Sequence, residues 1–140
     1  MTVSGELYQE IQQYYAWQMQ LLDQARTDEW AETFTEDGVF EANAAPAPVK
    51  GRSAIAAASA ATHRQLAEVH ELRRHWLGML TVEPGETADK LHTRCYALII
   101  ATRKGGEPRI HCSTLCEDVL VRVGDSWQVE YRTVSRDDIR

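Results

Sequence analysis

Apolar positions recur at helical spacing early in the chain and at strand spacing over its second half. Leu7, Ile11, Tyr14 and Leu21, flanked by Tyr8, Tyr15, Met19 and Leu22, make one wide apolar face. That spacing predicts an amphipathic helix from Leu7 to Ala25. A second, short helix is expected after Thr27, with Asp28 and Glu29 in its first turn, where carboxylates suit the helix dipole, and Trp30 and Phe34 on one side. Glu36-Asp37-Gly38 turns the chain into a short strand, Val39 to Asn43, and the proline-containing Ala44-Ala45-Pro46-Ala47-Pro48 reads as loop. A third helix is expected to open with Ser53 as its N-cap and to follow the alanine-rich run to about Val69.

From His75 the period changes to two. Strands are expected at His75–Glu83, Leu91–Arg103, Arg109–Val123 and Trp127–Ser135, separated by the turn signals Pro84-Gly85, Lys104-Gly105-Gly106-Glu107-Pro108 and Gly124-Asp125. In the first of them Trp76, Leu80 and Val82 fall on one face, and His75, Leu77 and Met79 on the other. Helices followed by antiparallel strands predict a single α+β domain over residues 1–140, with the helices on one face of a curved sheet.

Composition narrows the function. The 140 residues are 44% hydrophobic and carry a net charge of −6, with no basic run, so a nucleic-acid partner is not expected. No apolar stretch approaches the roughly 20 residues of a membrane span. The first residues, Met1-Thr2-Val3-Ser4-Gly5-Glu6, lack the basic and apolar regions of a signal peptide, so a soluble, cytoplasmic protein is expected. The three cysteines Cys95, Cys112 and Cys116 form no disulfide framework. Cys112 and Cys116, four apart on a predicted strand, would lie about 13 Å from each other, too far to share one metal ion. With no Gly-rich phosphate loop, metal-ligand cluster or activated-nucleophile motif, neither metal nor cofactor is expected.

Several stretches resemble the nuclear transport factor 2-like superfamily and its SnoaL-like branch. They are Leu21-Leu22-Asp23, Phe34-Thr35-Glu36-Asp37-Gly38-Val39-Phe40, Gly51-Arg52-Ser53-Ala54-Ile55, His75-Trp76-Leu77-Gly78 and Trp127-Gln128-Val129-Glu130-Tyr131-Arg132. The resemblance implies a cone-shaped barrel of curved mixed or antiparallel sheet, with three N-terminal helices enclosing a cavity. It leaves the function open, because this fold hosts dehydratases, isomerases, epoxide hydrolases, cyclases and non-catalytic subunits. His75-Trp76-Leu77-Gly78 is similar to the strand that carries the catalytic histidine of scytalone dehydratase, and Asp23 looks like the aspartate that holds it. That enzyme's second histidine has no counterpart; His92 and His111 are the nearest. The general base of ketosteroid isomerase would fall where this chain has Ala42 and Asn43. The texture also resembles the small SnoaL-like proteins of actinobacterial aromatic-polyketide pathways. Relatives commonly pair through the open sheet face, and Leu98-Ile99-Ile100 calls for cover on both faces, so a homodimer is expected.

The candidate catalytic pair is therefore His75 with Asp23. A carboxylate on one imidazole nitrogen fixes the tautomer and leaves the other to take or give a proton. The alternative is a core histidine bonded to a backbone carbonyl, with Asp23 capping a turn. Tyr14 and Trp17 are candidate substrate contacts on the first helix, against the alternative of a packed aromatic stripe. On the long strand His111, Ser113, Leu115, Glu117 and Val119 share one face, and Cys112, Thr114, Cys116 and Asp118 the other. If the first face lines the cavity, Glu117 and His111 reach a substrate; a slip of one puts Asp118 there instead. Tyr96 is a further pocket candidate. His63 and His70 read as solvated, and Arg132, Arg136, Asp137 and Asp138 as a mixed-charge tail at the surface or the rim of a dimer. The function expected is a cofactor-independent cyclase or dehydratase. It would act by general acid–base catalysis on a small aromatic, polyketide-like intermediate, for example in pyran-ring formation in natural-product biosynthesis. The alternative is a non-catalytic ligand-binding module resembling the small subunit of ring-hydroxylating dioxygenases.

Overall fold

The computed structural model describes residues 3–140. Met1 and Thr2, part of the N-terminal segment read above, lie outside them. Helix α1 (Gly5–Asp23) and the short α2 (Thr27–Ala31) precede strand β1 (Phe34–Ala42). After the two-residue β2 (Val49–Lys50) and helix α3 (Arg52–Glu68) come four long strands, β3 (Glu71–Pro84), β4 (Lys90–Arg103), β5 (Arg109–Val123) and β6 (Ser126–Arg136). They form one six-stranded sheet in the order β2-β1-β6-β5-β4-β3. All pairings are antiparallel except β1 with β6, which is parallel. The sheet is mixed and open, with β2 and β3 at its edges rather than joined as a barrel. No helix among the described residues is long and apolar enough to cross a membrane.

Two of the family-like stretches meet in space. Gly51, at φ +94°, is the residue before α3, and its N–H donates to the carbonyl of Gly38 at 2.7 Å. The Arg52 guanidinium donates to the Phe34 carbonyl through Nε (3.0 Å) and Nη2 (2.6 Å). The expected Glu36-Asp37-Gly38 turn is a bulge inside β1, between Phe34 and Val39; a Cβ at Gly38 would lie 3.0 Å from the Thr35 carbonyl oxygen, so only glycine fits there without displacement. The helix thus begins at Arg52 after a left-handed glycine, not at a serine cap on Ser53.

One face of the sheet packs against the helices, where Ile11, Leu21, Trp30, Phe34, Ile55 and Leu120 make the core. Trp30 and Phe34 meet edge to face, their centroids 5.1 Å apart. The alternation predicted for β3 holds only in part. Met79, at φ +53°, bulges the strand between Gly78 and Thr81. The extra residue returns Leu80 and Val82 to the helix-facing side with His75 and Leu77, while Trp76 points away and is 68% exposed.

Candidate active site

Asp23 closes α1, and Ala25, in the left-handed region at φ +60°, turns the chain sharply behind it. That turn sets Asp23 beside the free edge of β3. Its Oδ2 accepts the backbone N–H of His75 at 3.1 Å, and its Oδ1 faces the ring Nδ1 at 2.6 Å. A carboxylate in this position makes Nδ1 the protonated nitrogen and leaves Nε2 as an acceptor. The Asp23 side chain is 9% exposed and that of His75 22%, so the pair is partly screened from water yet reachable.

Both residues line a cavity of about 350 Å³ between the helices and the sheet. Its walls are mainly apolar, with Leu22, Trp30, Phe40, Ile55, Leu66 and Ile99 among them. That size and lining suit a small organic ligand held by a few polar groups. A second cavity of about 750 Å³, between α1 and β3, also reaches Asp23 and His75 and takes in Tyr15 and Cys95. His75 therefore stands at a partition between two cavities.

Polar groups missed by the sequence reading also line the first cavity. Strand β3 starts at Glu71, four residues earlier than expected, so Glu71, Arg73, His75 and Leu77 share the inner face. Glu71 Oε2 accepts from Arg73 Nε at 2.9 Å, and Oε1 from Arg109 Nη2 at 3.1 Å and Arg103 Nε at 3.3 Å. The hydrogen bond from Arg73, then Arg109 and Arg103, hold the Glu71 carboxyl down to about 2, against the opposing cost of its burial. Three guanidinium groups surround this one carboxylate; Arg73 lines the cavity, whereas Arg103 and Arg109 lie outside its wall and are more than half exposed. His63, read from sequence as solvated, lines the same cavity from α3, whereas His70 is exposed.

The other candidates separate. Tyr14 is buried and donates to the Thr33 carbonyl at 3.1 Å; it lines neither of these cavities. Trp17 is 47% exposed, beside a smaller cavity with Trp127. Tyr96 and Glu117 come together, but on the outer face of the sheet, in a groove of about 700 Å³ with Arg94 and His92. The register Cys95↔Cys116 and Thr93↔Asp118 turns Cys116 and Asp118 inward and so sends Glu117 outward. His111 occupies a bulge in β5 opposite Ile99 and Ile100, outside the cavity wall. Its burial, then the positive charge of Arg73, hold its ring below the ordinary histidine value.

Asp118 instead builds a buried polar cluster with Arg132, which is therefore no surface-tail residue. Arg132 donates to Asp118 Oδ1 at 2.9 Å and Oδ2 at 2.8 Å, and to Gln18 Oε1 at 2.8 Å. The Tyr15 hydroxyl donates to Asp118 Oδ2 at 2.6 Å and shares a hydrogen bond with Thr93. Burial, and then the adjacent Asp118 carboxylate, push the Tyr15 hydroxyl well above its usual value, so it stays a donor. This cluster ties α1 to β4, β5 and β6.

Comparison with known proteins bears on the family and the fold. The SnoaL-like domain matches residues 4–133. No curated protein matches the chain. Aln2 from a Streptomyces species is 30% identical and superposes with a TM-score of 0.90, over 99% of this chain and 96% of its own. A protein from Catenulispora Acidiphila, solved in complex with S-DNPA, is 33% identical with a TM-score of 0.84, over 96% of each chain. ActVI-ORFA from Streptomyces Coelicolor is 29% identical with a TM-score of 0.89, over 98% of this chain and 99% of its own. By its sequence, its helix-covered mixed sheet and its cavity, the chain belongs to the SnoaL-like domain family.

Proposed function

We propose that the protein is a cofactor-independent cyclase or dehydratase that acts on a small aromatic, polyketide-like substrate by general acid–base catalysis through His75. The observation that carries this reading is the double hold of Asp23 on His75, on the ring and on the backbone N–H, in the wall of a largely apolar cavity. A histidine merely filling a core needs no second bond to fix its backbone. One that must present Nε2 in a set direction gains from it. A ligand, S-DNPA, on a 33% identical protein of the same fold supports small-molecule binding here.

In the reaction proposed, Nε2 takes the proton of a substrate hydroxyl as its oxygen bonds to a ketone carbon, and the carbonyl π pair moves to oxygen. The imidazolium, held against Asp23, returns the proton to that oxygen and gives a cyclic hemiketal. Dehydration uses the same group again: Nε2 takes a proton from the carbon next to the hemiketal carbon, that C–H pair becomes the new C=C bond, and the imidazolium gives the proton to the hydroxyl as its C–O bond breaks and water leaves. A positioned group of this kind contributes about 10²–10⁴ in rate. Arg73 supplies a cation for an anionic substituent of the substrate, its Nε engaged by Glu71. On the same reading two copies pair through the outer sheet face, where Trp76, Tyr96 and Ile110 are exposed.

The test follows conversion of a ring-open hydroxyketone on a naphthalene frame by chromatography and mass spectrometry. His75→Ala is expected to lower turnover at least 10²-fold with little change in melting temperature, because water can fill the space and serve Asp23. Asp23→Asn is expected to follow it, since an amide cannot stabilise the imidazolium. Unchanged turnover with a large fall in melting temperature in His75→Ala rules the reading out.

A further inference from the structure

Two buried polar atoms belonging to residues of the 350 Å³ cavity wall have no protein partner among the described residues: Nε1 of Trp30 on α2 and Oγ of Ser59 on α3. The residues are 4% and 8% exposed. Their neighbours are not in this state. Thr33, three residues from Trp30, donates to the Trp30 carbonyl and accepts from Gln18. Thr62, three residues beyond Ser59 on α3, turns its hydroxyl back onto the Ala58 carbonyl at 3.2 Å. Ser59 has the same option one turn earlier and does not take it. A third such atom, Nε1 of Trp127, lies away from this cavity, under the stacked guanidinium of Arg122.

Buried donors are almost always paired, so an unpaired one on a residue that lines a ligand-sized cavity points to a partner that arrives with the ligand. An indole N–H only donates, so its partner must be an acceptor oxygen; a serine hydroxyl can serve the same oxygen or a second one. On the helix side Leu22, Ile55 and Leu66 are the apolar neighbours, with Asp23 from α1 and Thr62 and His63 from α3 also in the wall. Arg73 and Glu71 bring charge from the sheet side, beside the Asp23–His75 pair.

We infer that Trp30 and Ser59 form a polar subsite that binds a carbonyl or hydroxyl oxygen on the aromatic ring system of the ligand and so orients it before His75. This rests on the proposed function in taking the ligand to be an oxygenated aromatic. Trp30 and Ser59 act as specificity-determining residues and take no part in proton transfer.

The test compares binding of 1-naphthol with that of 1-methylnaphthalene, which is nearly the same size and lacks the oxygen, by equilibrium dialysis. The wild-type protein is expected to prefer 1-naphthol about tenfold, the effect of two net hydrogen bonds worth about threefold each. Ser59→Ala and Trp30→Phe are each expected to cut that preference to about threefold and to leave 1-methylnaphthalene affinity within about twofold. Ser59→Ala removes an unpaired buried group, so its melting temperature without ligand is expected to hold or rise; a serine with a structural partner would lower it. A tenfold preference that survives in both variants, or equal binding of the two probes by the wild type, overturns the inference. Turnover in His75→Ala is a separate readout, so either conclusion can fall alone. If neither probe binds, both fall.

Discussion

Replacing Asp118 with alanine removes the carboxylate that serves both Arg132 and Tyr15. Arg132 would keep a single strong acceptor, Gln18 Oε1, while its guanidinium remains 4% exposed. Removing one member of a buried ion pair costs about 3–5 kcal/mol, because the charge left behind has neither water nor counter-ion. Unfolding entropy for a chain of 140 residues is about 0.3 kcal/mol per kelvin, so the melting temperature is expected to fall by about 10–17 °C. The exposed pair Arg26–Glu29, with side chains 50% and 53% accessible, gives the contrast, since Glu29→Ala is expected to change stability by less than about 1 kcal/mol.

Thermal denaturation by circular dichroism reads both effects. The double variant Asp118→Leu with Arg132→Met is expected to recover much of the loss, as apolar pairs often replace buried ion pairs at no net cost. A loss below about 1 kcal/mol in Asp118→Ala, or a double variant whose cost is the sum of the singles, refutes the reasoning. Because this cluster ties α1 to the sheet, and α1 ends in Asp23, residual turnover in Asp118→Ala is expected to track the folded fraction.

Two further outcomes concern charge and assembly. Glu71 is held at about 2 against an ordinary value of 4.5, so its contribution to stability is complete above about 4.5 and is lost as pH falls toward 2. The wild-type melting temperature is therefore expected to drop more steeply than that of Glu71→Gln across that window, and parallel curves count against the arginine cluster as the cause. Light scattering at micromolar concentration is expected to return twice the chain mass of 15.9 kDa, and Trp76→Glu to return the single mass; a wild-type monomer removes the proposed pairing.

The sequence shows most of this architecture because helix and strand periods are strong where one face is buried. The three helices and the four long strands follow directly from that contrast. The pair Asp23 and His75 is visible chiefly through resemblance, since 52 residues separate them and only a turn through Ala25 at φ +60° brings them together. Nothing in an alanine marks that conformation, nor in Met79 the bulge that exchanges the faces of β3. Alternation alone cannot say which face of β5 is inner; the helices decide it by giving Asp118 its partner Tyr15. Arg132 reads as a surface charge because its partners come from α1 and β5, 114 and 14 residues away. One available signal was passed over. Counting back by two from His75 gives Arg73 and Glu71, the inner-face charges of the cavity.

The position of β3 at the sheet edge accounts for how the site is held. An edge strand presents backbone groups that no neighbouring strand can pair, and these invite association unless something covers them. Here α1 provides cover at two points: Asp23 takes the N–H of His75, and the Tyr8 hydroxyl donates to the Leu80 carbonyl at 2.7 Å. The same carboxylate that occupies the edge also sets the tautomer of the imidazole. Asp23 need not be rigid in itself, because its bond to the backbone fixes it relative to the strand that carries the ring. On a central strand the His75 N–H would be spent on a neighbour, and Asp23 would hold the ring by one contact alone. An edge strand thus gives this fold a second point of attachment between Asp23 and His75.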